Sequence, residues 1–261
     1  MPTKLGQNFL QDKEIIKKII ASSDLKEDDF VIEIGPGEGA LTEQLSKYAK
    51  KVIAIELDDK LIPLLEKKFS DTKKIEIIHE DILKINLPEL LGHFVSKEKN
   101  YKVIANIPYY ITSPIIRLFL EQDIQPEEII LMVQKEVAER IIARPGETSI
   151  LSVSVQYYAS AELLFEVGRD SFSPAPKVDS AVIKIVPRRK FDKEADKKFF
   201  RIVRSGFSAK RKTLLNNLSA SLRMEKSSVE EKLKTAGIGP TVRAQELSLE
   251  NWKKLASLFQ K

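Results

Sequence analysis

Phe30-Val-Ile-Glu-Ile-Gly-Pro-Gly-Glu-Gly39 is the stretch from which the fold can be read. Strand formers run into Gly35-x-Gly37-x-Gly39, and Leu41, Leu45 and Tyr48 then recur at helical spacing, so the segment predicts a strand, a glycine loop and a helix. Glycines at such a turn let backbone approach a ligand closely. A second apolar run, Val52-Ile-Ala-Ile-Glu56, ends in an acid 21 residues after Gly35. A doubly wound α/β fold uses that spacing to offer a carboxylate to ribose hydroxyls. A cofactor site at Gly35, Gly37 and Glu56 is therefore expected. The loop reads GxGxG and not GxGxxG, so its spacing alone leaves the cofactor open.

The same pattern continues outward. Lys74-Ile-Glu-Ile-Ile-His-Glu-Asp81 predicts a third strand, with Asp81 on the rim shared by Gly35 and Glu56, where it can accept a hydrogen bond from an adenine amino group. His79 reads as packing or solvent-facing. Residues 84–101, with Pro88, Gly92, His93 and Lys97-Glu-Lys99, read as a variable connection. Val103-Ile-Ala-Asn-Ile-Pro-Tyr-Tyr110 then predicts a strand that ends in Asn106, because Pro108 forbids a regular ladder or helix beyond it. An amide acceptor, a rigid proline turn and the Tyr109 ring together suit a flat partner with an exocyclic amino group, a nucleobase.

Farther along, a helix is expected from about Ser113 to Glu121, a buried strand at Ile129–Val133 and a helix from Lys135 to Ala143, broken at Pro145-Gly146. Leu151, Val153, Val155 and Tyr157 alternate as in a strand, although the family resemblance given below argues for a helix, and both readings stay open here. Glu162–Val167 and Ala181–Val186 read as strands joined across Phe172-Ser-Pro-Ala-Pro-Lys-Val178, whose prolines hold Phe172 either as a wall of a pocket or as a core anchor. Upstream, Leu5-Gly-Gln-Asn-Phe-Leu10 leads into a helix with Asp12 as N-cap and an apolar stripe of Ile15, Ile16, Ile19 and Ile20; Gln7 and Asn8 are exposed amides in the lead-in.

Composition narrows the chemistry. The 261 residues suffice for a main domain and a smaller one. There are no cysteines and only two histidines, so disulfides, thiolate or histidine-rich metal sites and the usual nucleophilic triads are excluded, and no metal is expected. The start lacks an apolar signal core and no run is long enough to span a bilayer; a soluble, cytoplasmic protein without membrane attachment is expected. Charge is unevenly placed. Residues 1–187 carry 24 Lys and Arg against 30 Asp and Glu, whereas residues 188–261 carry 19 against 8. Past Pro187 strand runs stop and helical patterns begin, with Phe199, Phe200, Ile202, Val203 and Phe207 in one and Leu214, Leu215 and Leu218 in the next. A final helical pair is expected around Gly237-Ile-Gly-Pro240, ending with Trp252 and Leu255. Arg188, Arg189, Lys210, Arg211 and Lys212 are the candidate contacts to a polyanion, RNA or DNA in preference to membrane, and Lys210–Lys212 are read as opening the second helix, where cations oppose the helix dipole.

Taken together, eight segments resemble the KsgA/RsmA family of ribosomal RNA adenine N6,N6-dimethyltransferases over nearly the whole chain: Leu5–Leu10, Glu33–Gly37, Ile55–Asp58, Asp81, Asn106–Tyr109, Met132–Glu136, Phe172–Val178 and Phe207–Leu214. The resemblance implies a Rossmann-like class I S-adenosylmethionine-dependent methyltransferase domain over residues 1–187, α/β in class, and a small all-helical RNA-binding domain over 188–261. It places the cofactor, released as S-adenosyl-L-homocysteine, on Asn8, Leu10, Gly35, Gly37, Glu56, Asp81 and Asn106, with Glu56 on the ribose and Asp81 on the adenine. It makes Asn106, Pro108, Tyr109 and Phe172 the catalytic set. It implies as substrate 16S rRNA within the immature small ribosomal subunit, at two adjacent adenines of the 3'-terminal hairpin, and a monomeric enzyme. The alternatives are the resistance-type methyltransferase of 23S rRNA, which shares Asn-Ile-Pro-Tyr, a DNA adenine methyltransferase, and a noncatalytic ribosome assembly factor. Tyr110 and Ala209-Lys210 depart from the family's commoner residues, outside the expected chemistry.

Overall fold

The computed structural model describes residues 8–94 and 101–259. Leu5, Gly6 and Gln7 of the lead-in motif and Lys97-Glu-Lys99 lie outside the described residues. In chain order the elements are β1 (Phe9–Leu10), α1 (Lys13–Ala21), β2 (Phe30–Ile34), α2 (Ala40–Tyr48), β3 (Lys51–Glu56), α3 (Ile62–Lys68), β4 (Ile75–His79), α4 (Leu87–Phe94), β5 (Tyr101–Asn106), α5 (Thr112–Leu120), β6 (Glu128–Gln134), α6 (Lys135–Ile141), α7 (Ile150–Tyr158), β7 (Ala159–Val167), β8 (Phe172–Ser173), β9 (Ser180–Pro187), α8 (Lys193–Gly206), α9 (Leu214–Leu222), α10 (Lys226–Ala236) and α11 (Leu249–Ser257).

Among the described residues seven strands form one sheet in the order β4-β3-β2-β5-β6-β9-β7. The first five are parallel, and β9 runs antiparallel to β6. The inner strands are mostly apolar because both of their faces are covered; β2 is buried at every position, Glu33 included. Strand order reverses between β2, which continues to β3, and β5, which lies on the other side of β2. Open α/β sheets bind ligands in the crevice beyond the carboxyl ends at such a point. Both the glycine loop and Asn106 leave the sheet there.

At the opposite edge, amino-terminal to β5 and β6, a buried ion cluster fixes strand ends. The Lys102 ammonium lies 3.1 Å from Asp29 and 3.3 Å from Glu128 and donates to the carbonyls of Ser23 and Asp24. Lys184 on β9 closes on Glu128 at 2.7 Å. Burial opposes the Lys184 charge, but the Glu128 carboxylate outweighs it and raises the pKa above the ordinary lysine value.

The chain divides into two compact units, one from the described residues of Met1–Ala138 and Ser160–Arg188, the other from those of Glu139–Ala159 and Arg189–Lys261. The division expected at 187/188 therefore leaves out residues 139–159, which join the helical unit. There α7 answers the ambiguity at 151–157: it is a helix, started by reciprocal Ser149 and Ser152 capping bonds. In the second unit Asp196, on α8 and almost fully buried, accepts from Tyr157 Oη and Tyr158 Oη, each at 2.9 Å, and pairs with Arg189 at 2.9 Å. The Tyr157 ring stacks on Phe199 at 4.1 Å, with the Arg189 guanidinium 4.4 Å from its centroid. Trp252 of α11, fully buried, stacks on Phe207. The connection read across 84–101 contains α4, whose Leu87 and Leu91 are buried one turn apart.

Candidate functional site: a cavity at the strand-order reversal

Asn8, Leu10, Glu33, Gly35, Gly37, Glu56, Asn106, Pro108, Tyr109 and Gln134 are among the residues that line a cavity of about 470 Å³ at the carboxyl end of the sheet. That is within the size range of small-molecule and cofactor sites. The glycine loop forms its floor. A Cβ at Gly35 would sit 3.8 Å from Pro108 Cδ and 3.9 Å from the Asn106 carbonyl oxygen, so the loop after β2 and the turn after β5 are in close apposition. Gly37 has φ +58°, and a Cβ there would meet the Phe9 ring at 2.9 Å. Phe9 stays over the loop because β1 pairs antiparallel with β8, Phe9 opposite Ser173 and Leu10 opposite Phe172, and because Gln11 N donates to Ser171 O at 3.0 Å. Asp12 caps α1 as expected and also accepts from Ser171 Oγ at 3.2 Å.

Glu56 is held by its own backbone surroundings. Its Oε1 accepts from Leu57 N and Asp58 N, each at 2.9 Å, and its Oε2 from Gly37 N at 3.3 Å. Burial raises its pKa against the lowering effect of those donors. Oε2 retains a lone pair for a further donor. Asp81 is two residues beyond β4, beside Glu56 through the Glu80 N to Glu56 O bond of 3.1 Å. It is outside the cavity lining, and its Oδ1 accepts from Leu83 N at 3.0 Å.

At the mouth, β5 ends in Asn106, which is partly exposed, and no hydrogen bond engages its carboxamide among the described residues. Ile107 is buried and Pro108 has φ −58° and ψ 130°, which carries the chain away from the sheet. The Tyr109 hydroxyl shares a 2.7 Å hydrogen bond with Ser180 Oγ at the start of β9, which fixes the ring's orientation. Burial raises the Tyr109 pKa, with Ser180 opposing, so the ring is a neutral surface at ordinary pH. Tyr110 is exposed.

The structure thus brings together Asn8, Leu10, Gly35, Gly37, Glu56, Asn106, Pro108 and Tyr109. It does not bring Phe172 to the cavity: that ring is buried in the core cluster with Leu10, Ile15, Ile16 and Val167. Among the expected RNA contacts, Arg188, Lys210, Arg211 and Lys212 are exposed, whereas Arg189 is committed to Asp196. Lys210–Lys212 precede α9, in the turn before its N-cap Thr213, and do not form the helix's first turn. Two features were not identified from the sequence. Glu33, read only as part of a strand, is a fully buried acid in the cavity wall; a charge inside an otherwise apolar parallel strand was the available signal. Lys197, Arg201 and Arg204 form an exposed stripe on α8, without an ion pair among the described residues, legible as i, i+4, i+7 spacing.

A family model of ribosomal RNA adenine dimethylases matches residues 1–261. Ribosomal RNA small subunit methyltransferase A of Dehalococcoides mccartyi strain CBDB1 is 47% identical over 253 residues, covering 96% of this chain and 86% of its own. The protein of the same name from Bacillus pumilus is 42% identical over 264 residues, covering 98% and 90%. Among solved structures, a dimethyladenosine transferase from Plasmodium falciparum superposes with TM-score 0.76 at 29% identity, over 95% of each chain. The 23S rRNA methyltransferase ErmE superposes with TM-score 0.73 at 29% identity, over 97% and 100%. With a full-length match, and with the glycine loop, Glu56 and Asn106 gathered on one cavity, the chain belongs to the ribosomal RNA adenine dimethylase family.

Proposed function

We propose that this protein transfers methyl groups from S-adenosylmethionine to N6 of two adjacent adenines in the 3'-terminal hairpin of 16S rRNA, within the immature small subunit, acting as a monomer. The observation that carries the reading is the uncommitted Asn106 carboxamide at the mouth of the cavity whose floor is the Gly35 loop. Small-subunit enzymes at 42–47% identity support this substrate over large-subunit RNA, whose methyltransferase ErmE stands at 29%.

The residues present fit the cofactor. Glu56 Oε2 has a lone pair that would take a ribose hydroxyl, Asn8, Leu10 and the Gly35–Gly37 backbone line the cavity that would hold the rest of the cofactor, and Asp81, outside that lining, would accept from the adenine. When bound, S-adenosylmethionine supplies an electrophilic methyl. The task left to the protein is alignment, because an adenine amino lone pair is delocalised into its ring and is a poor nucleophile. The Asn106 side-chain oxygen and a backbone carbonyl of the Ile107-Pro108 turn accept the two N–H bonds, favour a pyramidal nitrogen and expose its lone pair. Tyr109 stacks on the extruded base, worth about 1–3 kcal/mol by analogy with single-strand binders. Arg188, Lys210, Arg211 and Lys212, joined by the α8 stripe, hold phosphates.

Purified protein with labelled cofactor should deposit dimethyladenosine near the 3' end of the RNA in immature small subunits. Methyl incorporation confined to large-subunit RNA would overturn the assignment. Asn106→Ala should lower turnover by at least two orders of magnitude with RNA binding retained; turnover at the wild-type rate would remove Asn106 from the mechanism.

A further inference from the structure

Glu33 sits on the fourth position of β2, 1% exposed, in the wall of the cavity. Its Oε2 has no well-formed hydrogen bond among the described residues, and neither has Thr42 Oγ1 on α2, although Thr42 lies close enough to lower the Glu33 pKa. A buried carboxylate left this way carries a large desolvation cost, which protonation relieves. The charged groups around it offer little compensation. Glu56 on β3 is a second acid whose charge raises the Glu33 pKa, and Glu38 in the loop lines the same cavity. Lys68 on α3 donates to the carbonyls of Glu38 and Gly39, at 2.9 and 3.3 Å, and lies 3.6 Å from Glu43. Burial above all, with the Glu56 charge adding, pushes the Glu33 pKa up to about 8, while Thr42 and Lys68 oppose the rise. With Oε2 unpartnered and burial opposing its charge, the Glu33 carboxyl therefore favours its neutral form at neutral pH.

S-adenosylmethionine carries a sulfonium, an ammonium and a carboxylate, net charge plus one, whereas S-adenosylhomocysteine has lost the sulfonium charge. We propose that Glu33 is a proton-linked counter-charge for the cofactor: it is protonated in the empty cavity, ionises when the sulfonium form binds, and recovers its proton once the product remains. The inference rests on the cofactor assignment above. The balance is simple: the carboxylic acid and the cationic cofactor give a carboxylate facing that cation and one proton released to solvent. Each methyl transfer removes the sulfonium charge and liberates one proton from N6. The cavity then returns to the condition in which Glu33 takes a proton back from solvent. Loading therefore strengthens as pH rises toward 8, and the site prefers the charged methyl donor over its neutral product.

The test is calorimetric titration of the RNA-free protein with S-adenosylmethionine, and separately with S-adenosylhomocysteine, at pH 7 in buffers of different ionisation enthalpy. Wild type should release close to one proton with the cofactor and a clearly smaller fraction with the product, and its cofactor affinity should rise by nearly tenfold per pH unit below 8. E33Q should release less by the same amount and lose that pH dependence; Glu56 and every other titrating group remain in both proteins and cancel in the difference. Difference infrared spectra of wild type should lose a protonated-carboxyl C=O band on cofactor addition, a readout that stands even if E33Q folds poorly. Tight cofactor binding without proton release, or equal release with cofactor and product, overturns the counter-charge while leaving the activity intact. Absence of any cofactor binding overturns the functional reading and this proposal with it.

Discussion

Gly37→Ala isolates the glycine loop. At φ +58° an L-residue incurs about 1–2 kcal/mol of backbone strain. The new Cβ would also lie 2.9 Å from Phe9 Cδ1 and 3.1 Å from Phe9 Cε1, closer than packed carbons sit, which adds about 1–3 kcal/mol of overpacking unless the ring moves. Phe9 is held by the β1–β8 pairing, so the ring and the loop resist together, and a loss of about 2–5 kcal/mol is expected. Relief by movement of the loop would stretch the Gly37 N to Glu56 Oε2 bond and so disturb the carboxylate assigned to the ribose. Urea denaturation would give the stability change and titration with S-adenosylhomocysteine the site's integrity. Gly92→Ala is the control: it lies in α4, nothing would come within 4 Å of its Cβ, and it should stabilise by about 0.5–1 kcal/mol. If Gly37→Ala matches wild type within about 0.5 kcal/mol and binds the product normally, the tight apposition of Phe9 and the loop is wrong.

Lys102→Met strands Asp29 beside Glu128 in the buried cluster and should lower stability by about 3–5 kcal/mol, nearer the smaller figure because Lys184 remains on Glu128; a denaturant midpoint shift worth under about 1 kcal/mol would show that the cluster is wet. Phe172→Ala should cost about 3–5 kcal/mol as a core truncation, with methyl transfer by the folded fraction largely kept. Normal stability with lost turnover would return Phe172 to the base. Replacing Lys210, Arg211 and Lys212 with Gln should weaken RNA binding and reduce the slope of log affinity against log salt by about 2–3, and an unchanged slope would exclude them as phosphate contacts.

The inner strands were legible because burial on both faces demands continuous apolar runs, as in Val31-Ile32 and Val103-Ile104-Ala105, and because Gly35 and Pro108 end those runs abruptly. The cavity residues at those ends were legible for the same reason. Phe172 was not, since a ring after a stiff connector is compatible with a wall or an anchor until its neighbours are known. At α7, Tyr157 and Tyr158 are both buried, one turned to Phe199 and both to Asp196, so burial follows neither a helical stripe nor an alternation cleanly, and the start signal is a Ser149–Ser152 pair in place of the commoner Glu or Gln. Glu33 escaped notice because the role proposed for it depends on what surrounds it, Glu56, Glu38 and a spent Lys68, none of them adjacent in sequence.

The second unit takes its material from two separated stretches, Glu139–Ala159 and the chain after Arg188. The polypeptide therefore crosses between units three times, and the helical part is not a removable appendage. A fragment ending at residue 187 would keep Tyr157 and Tyr158 but lose Asp196, Phe199 and Phe200, leaving two tyrosines stripped of their acceptor and an aromatic face open to water. Such a fragment is a candidate for aggregation. For the same reason, exchanging the helical unit between relatives requires two grafts, and the first of them falls between two strands of the seven-stranded sheet.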